Sequence, residues 1–503
     1  MTLSRRTLLA AAAAGLPLVG TAAQAARPTD LLTFGLSGYP PNLQPWANTG
    51  ASVGGLKLLM FRGLLSYAPD GSLRGELAER WEQDGPTAWV FHLRDAVFHN
   101  GNPVTSDDVR WSIEQIAGEH STAYLRAEFQ GVDHVETPDA KTVRLVMKRP
   151  TVTVPLLMAS MYAPITARGT IDIGAGPFML QDQERGVSVD LVAFDKFYRP
   201  GQPQIRRIRG VVYADENIRV TALRTGDVDL IEYVPWQSMQ TLDADPALKL
   251  DGTNGAFMYL VFNGDSGPFT DARVRLAAAL AIRREEIVQA AFFGRGAPLE
   301  GLPLSPESPF FDKALSQGWR YDPGRAKALL AEAGHAGGFS CSLLSTSQFG
   351  MMKSTGEVVQ SHLAEIGIKA DLALPDWAGR LNRGNRGQYD LSIGGTAMDN
   401  NDPDGLTSLI DGSLPPSFQR SFDLPIPEIT ELLAAGRAEF DAVKRKAIYQ
   451  KLQSVAIEKA SFVGLAWRSQ AYAMTKRLVG FQNIAGALTF YSNLTLDNAS
   501  MNG

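Results

Sequence analysis

The sequence predicts a mixed α/β protein, on three observations. Short runs that alternate apolar and polar residues with period two are interspersed with longer runs whose apolar residues recur at helical spacing. Turn, cap and stop residues stand where one period gives way to the other. The chain has 503 residues, 45% of them hydrophobic and 20% charged, enough apolar material for two or three cores.

Residues 1–25 read as an export signal. Arg5 and Arg6 make a positive start, Leu8 to Gly20 is apolar and alanine-rich, and Ala23-Gln24-Ala25 supplies a small-x-small cleavage pattern. Ser4-Arg5-Arg6-Thr7-Leu8-Leu9 resembles the twin-arginine export motif; an ordinary export signal that happens to hold two arginines is the alternative. The apolar run falls short of the roughly 20 residues a spanning helix needs, and no later segment reaches that length. No cysteine stands at the cleavage site to carry a lipid. The chain from Ala26 onward is therefore expected to be soluble and periplasmic, without a lipid anchor.

The elements follow in order. Trp89 to Arg94 alternates, with Trp89, Phe91 and Leu93 facing one core and His92 and Arg94 facing outward. Asn100-Gly101 marks a tight turn. Thr105 and Asp108 form a capping-box-like helix start, and Val109, Ile113 and Ile116 lie on one face of the helix that follows. Further on, Asp322 caps a helix with Pro323 at its first position, and Gly334 stops it. Val359, Leu363 and Ile366 make the next helical stripe, ended by Gly367. Ile368, Ala370, Leu372 and Leu374 then alternate as a strand. Pro427 opens a helical stretch to about Ala460, broken near Phe440.

Composition excludes several function classes. The formal net charge is −5 and no basic block stands out, which argues against a nucleic-acid partner. Cys341 is the only cysteine, so an intramolecular disulfide, a cysteine-based zinc site and an iron–sulfur cluster are all ruled out. There is no P-loop, no G-x-S-x-G elbow and no H-E-x-x-H. The six histidines are scattered without metal-ligand spacing. Asp399 to Gly405 is superficially like a calcium loop, but Pro403 stands where a ligand is required and Ile410 replaces the closing glutamate. No cofactor, no metal and no catalytic residue are expected.

Several stretches resemble one family, in that family's order. They are Gly75 to Trp81 (GELAERW), Trp89 to Arg94, Val97 to Gly101 (VFHNG) and Pro103 to Val109 (PVTSDDV). Ile173 to Phe178 (IGAGPF), Gly226 to Ile231 (GDVDLI), Phe262-Asn263, Pro268-Phe269 and Asp271 to Arg275 follow. Tyr321-Asp322-Pro323 with Ala326 to Gly334, Leu363 to Ile368, and Asp399 to Asp404 complete the set. Together these are closely similar to the bacterial extracellular solute-binding proteins of the dipeptide, oligopeptide and nickel class. Trp81, Trp89 and Phe91 are the kind of residue that builds core, and Gly174 and Gly176 the kind that meets backbone demands. The signature names a fold, not a cargo.

That resemblance implies a two-lobed periplasmic-binding-protein (clamshell) fold with an enlarged first lobe. Lobe I would comprise residues 26–255 with 475–503 returning to it, and lobe II residues 256–474. Crossings are expected near Asn254 to Asn263 and Gly464 to Thr475. The resemblance further implies a monomeric, non-enzymatic binding component of an ABC importer. A peptide-like or amine-containing solute would be held between the lobes, and membrane permease subunits would read the closure. Asp399 matches the family acid that pairs with a ligand ammonium. Counting back along the family pattern to the arginine that takes a dipeptide carboxylate lands on Thr346, and no arginine lies between Gly334 and Asp376. The family tryptophan before the acid is replaced in Gly395-Thr396-Ala397-Met398, which puts Thr396 in its neighbourhood. Tyr39, Trp46, Tyr162, Trp236, Trp377 and Trp467 are further candidates to line the cleft, as rigid aromatics with polar tips. A nickel chelate, haem, opine or oligosaccharide cargo remains open within the same fold. A secreted hydrolase is the reading from another class.

Overall fold

The structure, a computed structural model, describes residues 28–48 and 50–503; the expected signal segment lies outside the described residues. An eleven-stranded sheet runs through both halves of the chain. Its order is Ile368–Ala373, Phe339–Leu344, Leu391–Thr396, Leu248–Phe262, Val463–Thr475, Leu230–Ile231, Leu31–Leu36, Arg207–Val212, Ser188–Ala193 and Phe178–Glu184, with Gly296–Pro298 also on Val463–Thr475. Leu31–Leu36 lies between two parallel neighbours, and Leu32, Phe34 and Leu36, which share one of its faces, are fully buried.

The two longest strands join the halves. Leu248–Phe262 and Val463–Thr475 pair antiparallel from Leu248 opposite Thr475 to Leu260 opposite Val463. At one end Ala473 and Met474 pair with Leu230–Ile231 of the N-terminal half. At the other, Phe257 to Phe262 pairs with Leu391–Thr396 of the second half. Between these ends the register slips between Asn254 and Ala256. Gly255 sits there at φ +153°, and a Cβ on it would come within 1.9 Å of the Gly486 carbonyl oxygen, so only glycine fits.

The expected local elements form. Ala88–Leu93 is a strand with Phe91 and Leu93 buried and Trp89 half-buried. The helix Ser106–Ala117 starts on a capping box: Asp108 Oδ2 accepts from the Thr105 backbone N–H at 2.9 Å, while Val109, Ile113 and Ile116 are buried. Asp322 caps Pro323–Glu332 by accepting from the Arg325 N–H at 2.8 Å, and Gly334 follows at φ +86°. The last stretch is two helices, Pro427–Ala438 and Ala442–Lys459, parted at Glu439 to Asp441.

Three apolar clusters make the core. One lies under the second half and its long strands, one under Leu31–Leu36 and its neighbours, and one in an added layer of the first half. That layer is a four-stranded sheet, Ala78–Gln83, Ala88–Leu93, Thr142–Met147 and Val132–Asp139, packed with Ser106–Ala117. It is what enlarges the first lobe.

The C-terminal segment Gly486–Asn498 packs on the helix Ala51–Met60 and is tied there by charge. Asp497 pairs with Arg62 at 2.6 Å and Arg199 at 2.8 Å, and Glu76 pairs with Arg199 at 2.8 Å and Arg74 at 3.0 Å. Glu76 and Asp497 are both fully buried. Burial alone would raise the Glu76 pKa, but Arg62, Arg199 and Arg74 outweigh it and hold the carboxyl down at about 2. The signature residue Glu76 is thus structural. So is Gly176, where a Cβ would come within 2.5 Å of the Leu59 carbonyl oxygen.

Candidate cleft between the two halves

A cleft opens beside the joining strands. Its larger part, about 590 Å³, has Ser37, Tyr39 and Tyr233 of the first half facing Phe349, Met351, Trp377 and Arg468. A smaller part, about 80 Å³, continues from it past Tyr162, Phe490 and Tyr491 to Thr396, Met398 and Asp399. Asn48, Gly50, Tyr233, Trp377 and Gly395 line both parts. Much of the wall is a row of rings. Tyr233 stands 5.9 Å from Phe349 and 6.0 Å from Phe490, and Phe349 stands 5.4 Å from Trp377.

Asp399 lies just beyond the end of strand Leu391–Thr396, at the start of the DNNDPD loop. The other polar residues of that loop hold it in place. Asn400 accepts from the Asp402 N–H at 2.9 Å, and Asp402 accepts from the Asp404 N–H at 2.9 Å. Arg445 grips both oxygens of Asp402, each at 2.7 Å, and Arg437 pairs with Asp404 at 2.6 Å. Asn401 accepts from the Ala487 N–H at 3.0 Å. Asp399 does none of this work. Among the described residues its carboxylate accepts only from hydroxyls, Ser408 at 3.0 Å and Tyr124 at 3.5 Å. Burial, reinforced by the nearby Glu128 charge and opposed by the Ser408 hydrogen bond, pushes its pKa up to about 7.

Of the residues singled out in the sequence, Asp399, Thr396, Tyr162, Tyr39 and Trp377 are brought together on the cleft walls. Tyr162 donates to Asn48 Oδ1 at 3.1 Å, and Tyr39 donates to Gln183 at 3.3 Å. Four others are placed inside the walls. The Trp46 indole donates to the Pro164 carbonyl at 3.0 Å beside Trp111. Trp236 donates to the Ser469 carbonyl at 2.8 Å and meets Phe292 edge-on. Thr346 is fully buried and donates to the Pro375 carbonyl at 2.8 Å. Trp467 packs edge-on against Phe257. Trp46, Trp236 and Thr346 thus have their polar groups met by backbone carbonyls, and none of the four lines either part of the cleft.

Two cleft residues escaped the sequence reading. Arg468 projects from Val463–Thr475 with 1% of its surface exposed. Its Nη1 donates to the Met351 thioether at 2.7 Å, it hydrogen-bonds the Tyr233 hydroxyl, and Nε has no partner among the described residues. Tyr233 has φ +46°, a conformation a bulky residue rarely adopts. The fully buried Arg219 fixes that bend by donating to the carbonyls of Tyr213, Glu232 and Tyr233 at 2.7, 3.1 and 2.9 Å. The available signal was a charged residue inside an otherwise apolar strand run.

Residues 72–416 match the bacterial extracellular solute-binding proteins, family 5 (middle region). The chain is similar to a periplasmic binding protein of A. tumefaciens R10, AgaA, solved with agropinic acid. The two are 36% identical, with a TM-score of 0.88, over 94% of this chain and 99% of that one. It is 27% identical over 462 residues to a putative ABC transporter peptide-binding protein of Brucella ovis, covering 86% of this chain and 85% of the relative. A Helicobacter pylori peptide-binding protein, DppA, shares the fold at 20% identity, with a TM-score of 0.85 over 94% of this chain and 98% of that one.

Proposed function

The chain belongs to the bacterial extracellular solute-binding proteins of family 5, and on that premise we propose that it captures a small peptide-like or amine-bearing solute between its halves and delivers it to an ABC importer. The observation that carries the ligand class is Asp399. It is a carboxylate on the cleft wall held by the hydroxyls of Ser408 and Tyr124, while the neighbouring acids of its loop are spent on Arg445 and Arg437. A ligand ammonium would meet it in a water-poor site, where a charge-assisted hydrogen bond both binds and orients. The two bodies that close on the solute are residues 26–255 with 475–503, and 256–474. They flex about the joining strands where Gly255 interrupts the register.

The remaining proposals follow from the same premise. The chain is exported by the twin-arginine-like signal in residues 1–25, works as a monomer in the periplasm without a lipid anchor, and presents its closed form to permease subunits. Among the described residues no helix is long and apolar enough to cross a membrane. It binds without turnover, as a member of a family of solute-binding proteins. An opine is the second reading for the cargo, favoured by the agropinic acid held by the relative at 36% identity.

Native mass spectrometry of the protein as purified identifies a retained solute, and calorimetry then measures its affinity. Asp399→Asn is expected to weaken an amine-bearing solute at least about tenfold, from the 1.5–3 kcal/mol of a charged hydrogen bond. Binding should also strengthen as pH rises through about 7, because the ammonium must displace the Asp399 proton. Unchanged affinity in the variant would refute the role.

A further inference from the structure

Most buried arginines of this protein meet strong acceptors: Arg62 and Arg445 pair with carboxylates, and others are spent on backbone carbonyls. Arg284 is sealed in the second half and donates to the carbonyls of Leu299, Gly464, Trp319 and Ile282 at 2.6–3.2 Å. Arg219 and Arg275 are likewise spent on backbone carbonyls. These guanidiniums replace water with strong fixed acceptors, and their role ends there. Arg468 differs. It is as buried as Arg284, yet among the described residues its acceptors are a thioether and a phenol, both weak, and its Nε has none. Among the described residues no carboxylate pairs with it. It also differs in place, for it lines the 590 Å³ part of the cleft beside Tyr233 and Met351, whereas Arg284 faces the core.

A buried cation with weak acceptors is costly unless an anion completes it. The surroundings are shaped to keep the group where it is. The Trp236 ring lies 5.8 Å from the guanidinium carbon, and Tyr233, whose hydroxyl touches Arg468, is held in its left-handed bend by Arg219. A strained residue kept in position by a buried cation at a cleft wall is the arrangement expected where geometry serves a ligand.

We propose that Arg468, oriented by Tyr233, is the receptor for a carboxylate on the solute, so that the cargo is an organic acid whose acidic end enters the larger part of the cleft while its amine or hydroxyl end reaches Asp399. This rests on the solute-binding reading and deepens it. The anion is taken by a side chain from the joining strand Val463–Thr475, not from the segment around Thr346, whose wall residues are Gln348, Phe349, Met351 and Met352. A planar fork in an apolar wall suits a carboxylate, which can accept two of its N–H groups in parallel.

The test is a thermal-shift and calorimetric screen of the full exported chain. The probes are agropinic acid, glutathione, N-acetylglutamate and acidic dipeptides, each beside its neutral amide, with simple amines as the uncharged-end control. The solutes that bind are expected to be acids whose amides bind at least about tenfold more weakly to the unaltered protein. Arg468→Met should remove that preference, weakening the acid while leaving the amide unchanged. Should Arg468→Met fold poorly, Tyr233→Phe should narrow the acid-over-amide ratio with the fold intact, and the acid–amide comparison in the unaltered protein needs no variant. Solutes that bind equally as acid and amide, amines alone binding, or Arg468→Met keeping the full preference would each overturn the carboxylate receptor while leaving solute binding standing. Binding of no probe of any charge, with no solute retained on purification, would overturn both.

Discussion

At the scale of single residues, the cleft is defined by groups whose charge the fold leaves incompletely answered. Asp399 is the clearest titrating case. Its carboxyl ionises near pH 7 in the folded protein, against about 3.8 when unfolded. The stabilising contribution is full below about pH 4, where both states are protonated, and is lost as pH rises through 7, because ionising a buried acid penalises only the folded form. Asp399→Asn removes this penalty. The melting temperature of the variant relative to the unaltered protein should therefore rise between pH 4 and pH 8. A difference independent of pH would mean that Asp399 is better solvated than its surroundings suggest. Asp399 was reached through the family resemblance, as the match to the acid that opens the DNNDPD stretch. Residue types in the sequence did not advertise Arg468 as different from Arg284, because both are buried only by what the fold packs around them and their acceptors separate them.

At the scale of elements, the longest-range ties are made by residues that read as a local motif. Glu76 lies beside strand Leu73–Gly75, yet its carboxylate gathers Arg62, Arg74 and Arg199, and through them Asp497 in the C-terminal segment. Glu76→Gln leaves three guanidiniums and one carboxylate buried together, and it should cost about 3–5 kcal/mol in chemical denaturation at neutral pH. The sign with pH is opposite to that of Asp399. With the folded pKa near 2 against 4.5 unfolded, the stabilisation is present above about pH 4.5 and lost as pH falls through 2. The unaltered protein should thus lose more stability than Glu76→Gln over that acid range, and equal losses would argue against the charge cluster. Helix ends were legible because capping is local: Thr105 and Asp108, three residues apart, satisfy each other's neighbourhood. The pairing of Glu76 with a segment some four hundred residues on was not.

For the molecule as a whole, two antiparallel strands carry the connection between halves and one glycine marks where their register slips. A clamshell of this build is expected to contract when a solute touches both walls, since only contacts made in the closed form shift the equilibrium. Small-angle scattering should show a smaller radius of gyration on saturation with a bound solute. Unfolding should be harder by about 2.7 kcal/mol at a hundredfold excess of ligand over Kd. A solute that binds without compaction would locate its contacts on one half only.

The sequence by itself determined the α/β class, most of the helix starts and stops, the family and the acid of the cleft, because each rests on spacing within a few residues or on a motif kept together in the chain. Tertiary structure alone decided which aromatics are walls and which are core: Trp46, Trp236 and Trp467 look no different from Trp377 until their neighbours are known. It also decided where a carboxylate-seeking guanidinium stands. Thr346 occupies the place an arginine was sought and is sealed against Pro375, while Arg468 reaches the cleft from a strand more than a hundred residues later. The reason is physical. Burial, acceptor strength and access to a cleft depend on what distant segments bring alongside a residue, and no periodicity along the chain encodes them.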